Sequence, residues 1–305
     1  MARYLFIRLA QSAVTILLVV LVVFGISRVA GDPVTLLAGF DFSQEDIDRV
    51  KGELGLSDPL PEQFFRFVGE AVRGDFGDSF RTDRPAMEEV LNRAPATFEL
   101  ALVSLAISLL ISIPLGVVAA MARGSKVDVF ARLLALIGQA APSFWLGLIL
   151  IFFFSVRLGW FPTGGRDGAI SIVLPAFTLG TAAAASITRL TRSTMLDVIN
   201  RDYITLARTK GLPERTVILK HAFRNAMIPV ITILGLRIGT LLAGAVIVET
   251  IFAWPGIGRL IIQAITVSDY PVVQAAVLLI ATTVVLANLL TDVLYMVIDP
   301  RIRYA

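Results

Sequence analysis

The sequence predicts an all-α membrane protein: six transmembrane helices, both termini cytoplasmic, and a helical extracytoplasmic insertion between helices 1 and 2. Three observations carry this prediction. Of 305 residues, 56% are hydrophobic and only 17% are charged, with a mean hydropathy of +0.79. A soluble domain of this length cannot cover its surface with so few charges, so the surplus apolar surface needs an apolar solvent. Uncharged stretches of about 20 residues recur along the chain, the length that crosses a hydrocarbon core of about 30 Å. Basic residues gather in alternate connecting segments, the pattern that fixes orientation in a membrane.

The uncharged stretches run from Leu9 to Ser27, Leu100 to Ala122, Leu133 to Val156, Gly168 to Thr188 and Tyr270 to Thr291. A sixth, from Asn225 to Val248, is interrupted only by Arg237. Such segments must be helical, because lipid cannot satisfy open backbone groups. Pro114, Pro142, Pro175 and Pro229 lie inside them and predict kinks rather than breaks. Arg3 and Arg8 ahead of the first apolar run resemble a signal peptide. That run is too long for a signal core and no small-residue cleavage site follows it, so it reads as a retained helix.

With the N-terminus inside, the cytoplasmic segments are Met1–Arg8, Arg123–Arg132, Arg189–Arg224 and Asp299–Ala305. The third holds Arg189, Arg192, Arg201, Arg208, Lys210, Arg215, Lys220 and Arg224. The segment Gly31–Pro95, on the opposite side, is acidic from Asp32 to Glu89. Within it Ser43 reads as a helix N-cap followed by Glu45 and Asp46. Glu62–Val72 reads as an amphipathic helix with Phe64, Phe65, Phe67 and Val68 on its apolar face. The domain layout follows: 1–30, the N-terminus and first helix; 31–96, the outer helical insertion; 97–305, the core, with a cytoplasmic segment at 202–224. Trp254-Pro255-Gly256 opens a stretch, through Ser268, too apolar for a free loop. It reads as a short helix against the outer mouth or as a packing element.

The segment Asp202–Pro229 reads as two helical halves with a stop between them. Asp202 is placed to cap the first half. Gly211 takes the left-handed position that residues with a β-carbon avoid. Pro213 suits the first turn of the next helix, Glu214 complements its positive end, and Lys220 and His221 its negative end. The expected result is a rigid knob at the membrane surface against which a soluble partner can push.

On these residues the segment resembles the coupling ("EAA") loop of ABC-importer permeases, in the form used by the dipeptide, oligopeptide and nickel group. The matching positions are Asp202, Tyr203, Ala207, Arg208, Lys210, Gly211 and Leu212, then His221, Ala222, Arg224, Asn225, Ala226 and Pro229. Thr205 and Leu206 depart from the Glu-Ala-Ala of the general form, which argues against a sugar or amino-acid subgroup. Further matches lie in order along the chain: Gly31-Asp32-Pro33, Gly74-Asp75-Phe76-Gly77-Asp78-Ser79-Phe80, Pro142-Ser143-Phe144-Trp145, Arg189-Leu190-Thr191-Arg192-Ser193, Phe252–Arg259, Asp269-Tyr270-Pro271 and Asp299–Tyr304. Within the group the sequence is most similar to the dipeptide permease "B" subunit.

The resemblance implies half of a translocation path for di- or oligopeptides, working by alternating access, with nickel chelates, glutathione, haem and short oligosaccharides as other cargo. It implies a second homologous permease in a heterodimer, two cytoplasmic ATPases, an extracytoplasmic substrate-binding protein, and a multi-pass place in the bacterial inner membrane. It assigns Asp202, Tyr203, Ala207, Arg208, Lys210, Gly211, Leu212, His221 and Arg224 to ATPase coupling. No catalytic residue and no cofactor is expected in this chain; ATP and Mg²⁺ would bind the partner ATPases. Gly124-Ser125-Lys126 lacks the upstream glycine of a phosphate-binding loop.

Other classes fit less well. An ion-driven carrier would show repeated halves and mid-membrane carboxylates, and an intramembrane enzyme an H-E-x-x-H or Ser/His arrangement; neither is found. With no cysteine and the single His221, a metal site is not expected. Gly235, Gly239 and Ala243 form a small-residue stripe suited to close helix packing. Trp160 and Trp254 read as interface anchors. Arg237 stands near the middle of the fifth stretch, where a charge facing lipid costs at least about 2.5 kcal/mol. It therefore needs backbone carbonyls, a residue of the partner permease, or a place on the transport path. Glu249 is too far along the same helix to pair with it, and Asp292 would have to stretch.

Overall fold

The computed structural model describes residues 2–29, 49 and 57–298. Among them, helices are joined by turns, and an isolated antiparallel bridge links Asp78 to Pro85. Among the described residues, five helices are long and apolar enough to cross a bilayer, and the crossings number six if the bent pair is one span. The spans are Ala2–Val29, Ala86–Met121, the pair Lys126–Ala140 and Ser143–Arg157, Val173–Ile199, the run from Glu214 into Phe223–Ile251, and Tyr270–Ile298.

Two compact units are present: Met1–Thr97 with Pro255–Leu289, and Phe98–Trp254 with Leu290–Ala305. In the first unit, the helix Leu60–Arg73 ends on Gly74, in the left-handed conformation. Phe64 and Phe67 of this helix meet Phe24 of the first span, with ring centroids 5.4 and 5.8 Å apart. Phe65, expected on the same face, is instead 73% exposed. Adjacent residues differ by about 100° around a helix, so three phenylalanines within four positions cannot all face one neighbour. A core of Ala86, Val90 and Ala94 closes on Ile257, Leu260, Ile261 and Ala264 of the short helix Ile257–Thr266, and on Val272, Ala275 and Ala276. Two polar ties hold it. Thr97 Oγ1 accepts from the Ile257 N–H at 2.8 Å. The buried Asp269 carboxylate accepts from Ser79 Oγ at 2.5 Å and from the Phe80 N–H at 3.2 Å.

In the second unit the fourth span is the centre, packed by the third and fifth. Close approaches need small residues. A β-carbon on Gly180 would sit 2.7 Å from the Ser104 carbonyl of the second span, and one on Gly235 would sit 1.8 Å from Thr291 Oγ1 of the sixth. Gly235 thus has the packing role its stripe implied. Buried hydroxyls return to their own helix, as Thr178 Oγ1 does to the Leu174 carbonyl at 2.8 Å.

Several expectations change. The third stretch is broken at Pro142 and not merely kinked: its two helices meet at 106°. Ala141 takes the extended conformation that a following proline imposes, and Pro142 caps the next helix. The first half begins at Lys126, before the apolar stretch, because Ser125 Oγ accepts from the Asp128 N–H. The second half passes into a π-helical turn, Ile151–Arg157. Pro175 kinks nothing, because the fourth helix begins only at Val173, and a first-turn proline loses no hydrogen bond. Trp254 is no interface anchor. It is 1% exposed, with the Arg166 guanidinium 5.8 Å from its ring centre, while Trp160 is exposed. The helix start expected at Ser43, and the matches at 31–33 and 299–304, lie outside the described residues.

Candidate functional site: the helical knob at 202–225

The first helix of the knob is Asp202–Thr209. Asp202 is not its cap: Arg201 holds the extended cap position and Asp202 is the first helical residue. There it still faces the positive end of the helix. Apolar Ile204 and Ala207 are buried, which anchors the helix to the body of the unit.

The stop is built as the sequence implies. Gly211 has φ of 77°. Its N–H donates to the Arg208 carbonyl at 2.9 Å, and the Leu212 N–H reaches back to the Ala207 carbonyl at 3.4 Å. This pair of bonds is a Schellman motif, which consumes carbonyls the helix end would otherwise leave open. Arg208 then clamps the corner from outside. Its Nη2 and Nε donate to the two Glu214 carboxylate oxygens at 2.7 and 3.1 Å. The bidentate hydrogen bonds to Glu214 raise the pKa of the Arg208 guanidinium above its ordinary value.

The second half is not a separate short helix. Glu214–Thr216 runs into a π-helical turn, Val217–Ala222, and on without a stop into Phe223–Ile251. Lys220 and His221 therefore stand inside the helix and not at its negative end, as expected from the sequence. The sequence held a signal for this: nothing between Pro213 and Pro229 is a helix breaker. The knob is thus continuous with a membrane span, the fifth helix.

Tyr203 and Asn225 close the knob on its far side, Asn225 Nδ2 donating to Tyr203 Oη at 3.2 Å and to the His221 carbonyl at 2.8 Å. Tyr203, Leu206, Leu212 and Leu219 are exposed around the corner, and Lys210 and Arg224 are exposed beside them. The structure thus ties Tyr203 to Asn225 and Arg208 to Glu214 across the two halves of the knob. Arg237, the other predicted position, is elsewhere, at the midpoint of the helix Phe223–Ile251.

The family model described as "Binding-protein-dependent transport system inner membrane component" matches residues 112–304, and its N-terminal companion matches 1–101. The chain belongs to this permease family. The permease is 45% identical to an oligopeptide transport system permease, AppB, of Bacillus subtilis, over the whole of both chains. It is 42% identical to the glutathione transport system permease GsiC of Escherichia coli K12, again over both whole chains. In fold it resembles inward-facing structures of the MetNI methionine ABC transporter. For two of these the TM-scores are 0.57 and 0.59 at 20% and 19% identity, covering 70% of this chain and 97% of theirs. The permease is therefore a multi-pass protein of the bacterial inner membrane. It serves a binding-protein-dependent ABC importer, whose ATPase is a separate chain. Members of its family work with ATPases and binding proteins.

A second cluster of the permease escaped the sequence reading. Asp128, 1% exposed, accepts from Arg192 Nε at 2.6 Å and Nη2 at 2.9 Å, from the Gly124 N–H at 3.0 Å, and pairs with Arg132 at 3.4 Å. Arg189 beside it donates to Gln139 at 2.5 Å. These bonds tie the start of the third span to the end of the fourth. Both arginines stood in a recognised sequence match, but their partners are 64 and 50 residues away, and no local spacing reveals them.

Proposed function

We propose that this permease forms half of the translocation path of a short-peptide importer, and that the knob at 202–224 receives the movement of partner ATPases. The observation that carries the coupling role is the pinned corner. A left-handed glycine, a Schellman motif and a bidentate ion pair fix two helices at one angle, and the second of these helices is a membrane span. Closure of a partner against Tyr203, Leu206, Leu212 and Leu219 would then tilt the fifth span, with no slack in the connection, which is what alternating access requires. In this reading Asp202, Ala207, Lys210, His221 and Arg224 shape and surround that surface, and ATP and Mg²⁺ bind only on the partner ATPases.

The remaining parts follow the same reading. Both termini and the knob are cytoplasmic, as the basic residues indicate, and residues 31–96 form the outer insertion ahead of a core at 97–305. The complete importer holds a second, homologous permease, two ATPases and an outer binding protein. The names of the relatives support a peptide cargo, since oligopeptides and glutathione are both short peptides. Nickel chelates, haem and short oligosaccharides are the competing cargo.

The test is uptake by liposomes holding the co-expressed complex, with labelled tripeptide, glutathione, nickel chelate, haem and trisaccharide offered in turn. ATP-dependent uptake of the peptides supports the reading, and uptake of a non-peptide alone overturns it. One copy of this chain with one of a similar permease is expected in the complex. A fully active homodimer would remove the heterodimer.

A further inference from the structure

Arg237 is at the centre of the helix Phe223–Ile251, about 21 Å from either end at 1.5 Å per residue. Its position around that helix is informative. Ala226, Val230, Leu241 and Val248 lie within about 40° of it at 100° per residue, and all four are buried. Ile228 and Ile231, which are exposed, lie more than about 100° away. Gly235, which abuts Thr291 of the sixth span, is on nearly the opposite side. Gly244, seven residues on and within about 20° of Arg237, faces Leu179 of the fourth span, where an added β-carbon would sit 3.1 Å from Cδ1. Arg237 therefore stands on the side of its helix that these buried residues share.

Arg237 is nonetheless only half-buried, and among the described residues its side chain has no hydrogen-bond or ion-pair partner. The carboxylates considered from sequence do not serve: Glu249, about 18 Å along the helix, is fully buried with interactions of its own, and Asp292 likewise makes interactions of its own. A cation within a membrane span that has no anion among the described residues needs backbone carbonyls, a residue of the partner permease, or water. Water is what a transport path would supply there.

We propose that Arg237 lines the translocation path and offers its guanidinium to the free carboxylate of a passing peptide, so that the permease itself selects C-terminally unmodified cargo. The inference rests on the peptide reading above. A guanidinium suits the task because it stays charged at any working pH and binds a carboxylate through two parallel N–H donors.

The experiment compares maximal uptake of a tripeptide and of its C-terminal amide by the complete reconstituted importer. Each is supplied at concentrations saturating the binding protein, so that the binding protein's own preference drops out. Arg237→Gln should lower the free-carboxylate rate by about tenfold or more, the scale of one charge-assisted hydrogen bond, and the amide rate by less than about twofold. Arg237→Lys should keep most of the preference for the free acid. Equal loss for both peptides, no loss for either, or failure of Arg237→Gln to assemble would overturn the proposal in favour of a structural arginine. Wild-type transport of neither peptide would instead remove the peptide reading itself.

Discussion

Replacing Gly211 by valine isolates one physical term. The φ of 77° is left-handed, and a β-carbon placed there meets no atom within 4 Å. Crowding therefore contributes nothing, and the cost is that of the backbone conformation alone, about 1–2 kcal/mol for an ordinary side chain and more for a branched one. That corresponds to a loss of about 5- to 30-fold in the population of the formed corner. The Schellman bonds and the alignment of Arg208 with Glu214 go with it. The assay is ATP hydrolysis by the purified complex, with and without loaded binding protein. Gly211→Val should assemble, yet lose about fivefold or more of the stimulation, and Gly211→Ala should fall between it and wild type. Gly211→Asn is the discriminating control: asparagine is as bulky as valine but tolerates the left-handed region, so it should be close to wild type. Normal stimulation in Gly211→Val would refute the coupling role. Asparagine proving as harmful as valine would refute the backbone argument, since bulk at the partner surface would then be the cause.

Gly235→Ala should lower the thermal transition of the detergent-solubilised complex, because the new methyl group meets Thr291 Oγ1 at 1.8 Å. Adding Thr291→Ala should restore only part of it, with Thr291 Cβ still 2.4 Å away; an additive double mutant would deny the contact. Asp128→Ala leaves the half-buried Arg192 without its anion and should lower the thermal transition, by less than the about 3–5 kcal/mol of a fully buried pair because Arg192 is partly solvated; an unchanged melting curve would count against the cluster. The chain has no native cysteine, so single cysteines test orientation cleanly. In intact cells Ser57→Cys should react with an impermeant thiol reagent and Ser193→Cys should not, and the reverse labelling would invert the topology.

The apolar helices were legible in the sequence because lipid imposes length and hydrophobicity on each span independently of its neighbours. The glycine stop at 211 was legible for a similar reason: a left-handed residue and the proline two positions later are local requirements that composition records. What local chemistry could not decide was the continuation of the chain beyond them. Pro142 and Pro229 look alike in sequence. Yet the helix breaks by 106° at the first and passes through the second, because packing in each place decides whether the freed carbonyl can be satisfied without a turn. The same limit hid the anions of Arg192 and the burial of Trp254. Asp128 reaches Arg192 across 64 residues, and Arg166, far from Trp254 in sequence, stands 5.8 Å from its ring centre. A sequence fixes which side chains need a partner, but the partner is chosen by whichever distant residue the packed helices bring alongside. Arg237 is the sharpest case: its charge marked it as needing an explanation, and only the packed helices show which buried residues share its side of the fifth helix.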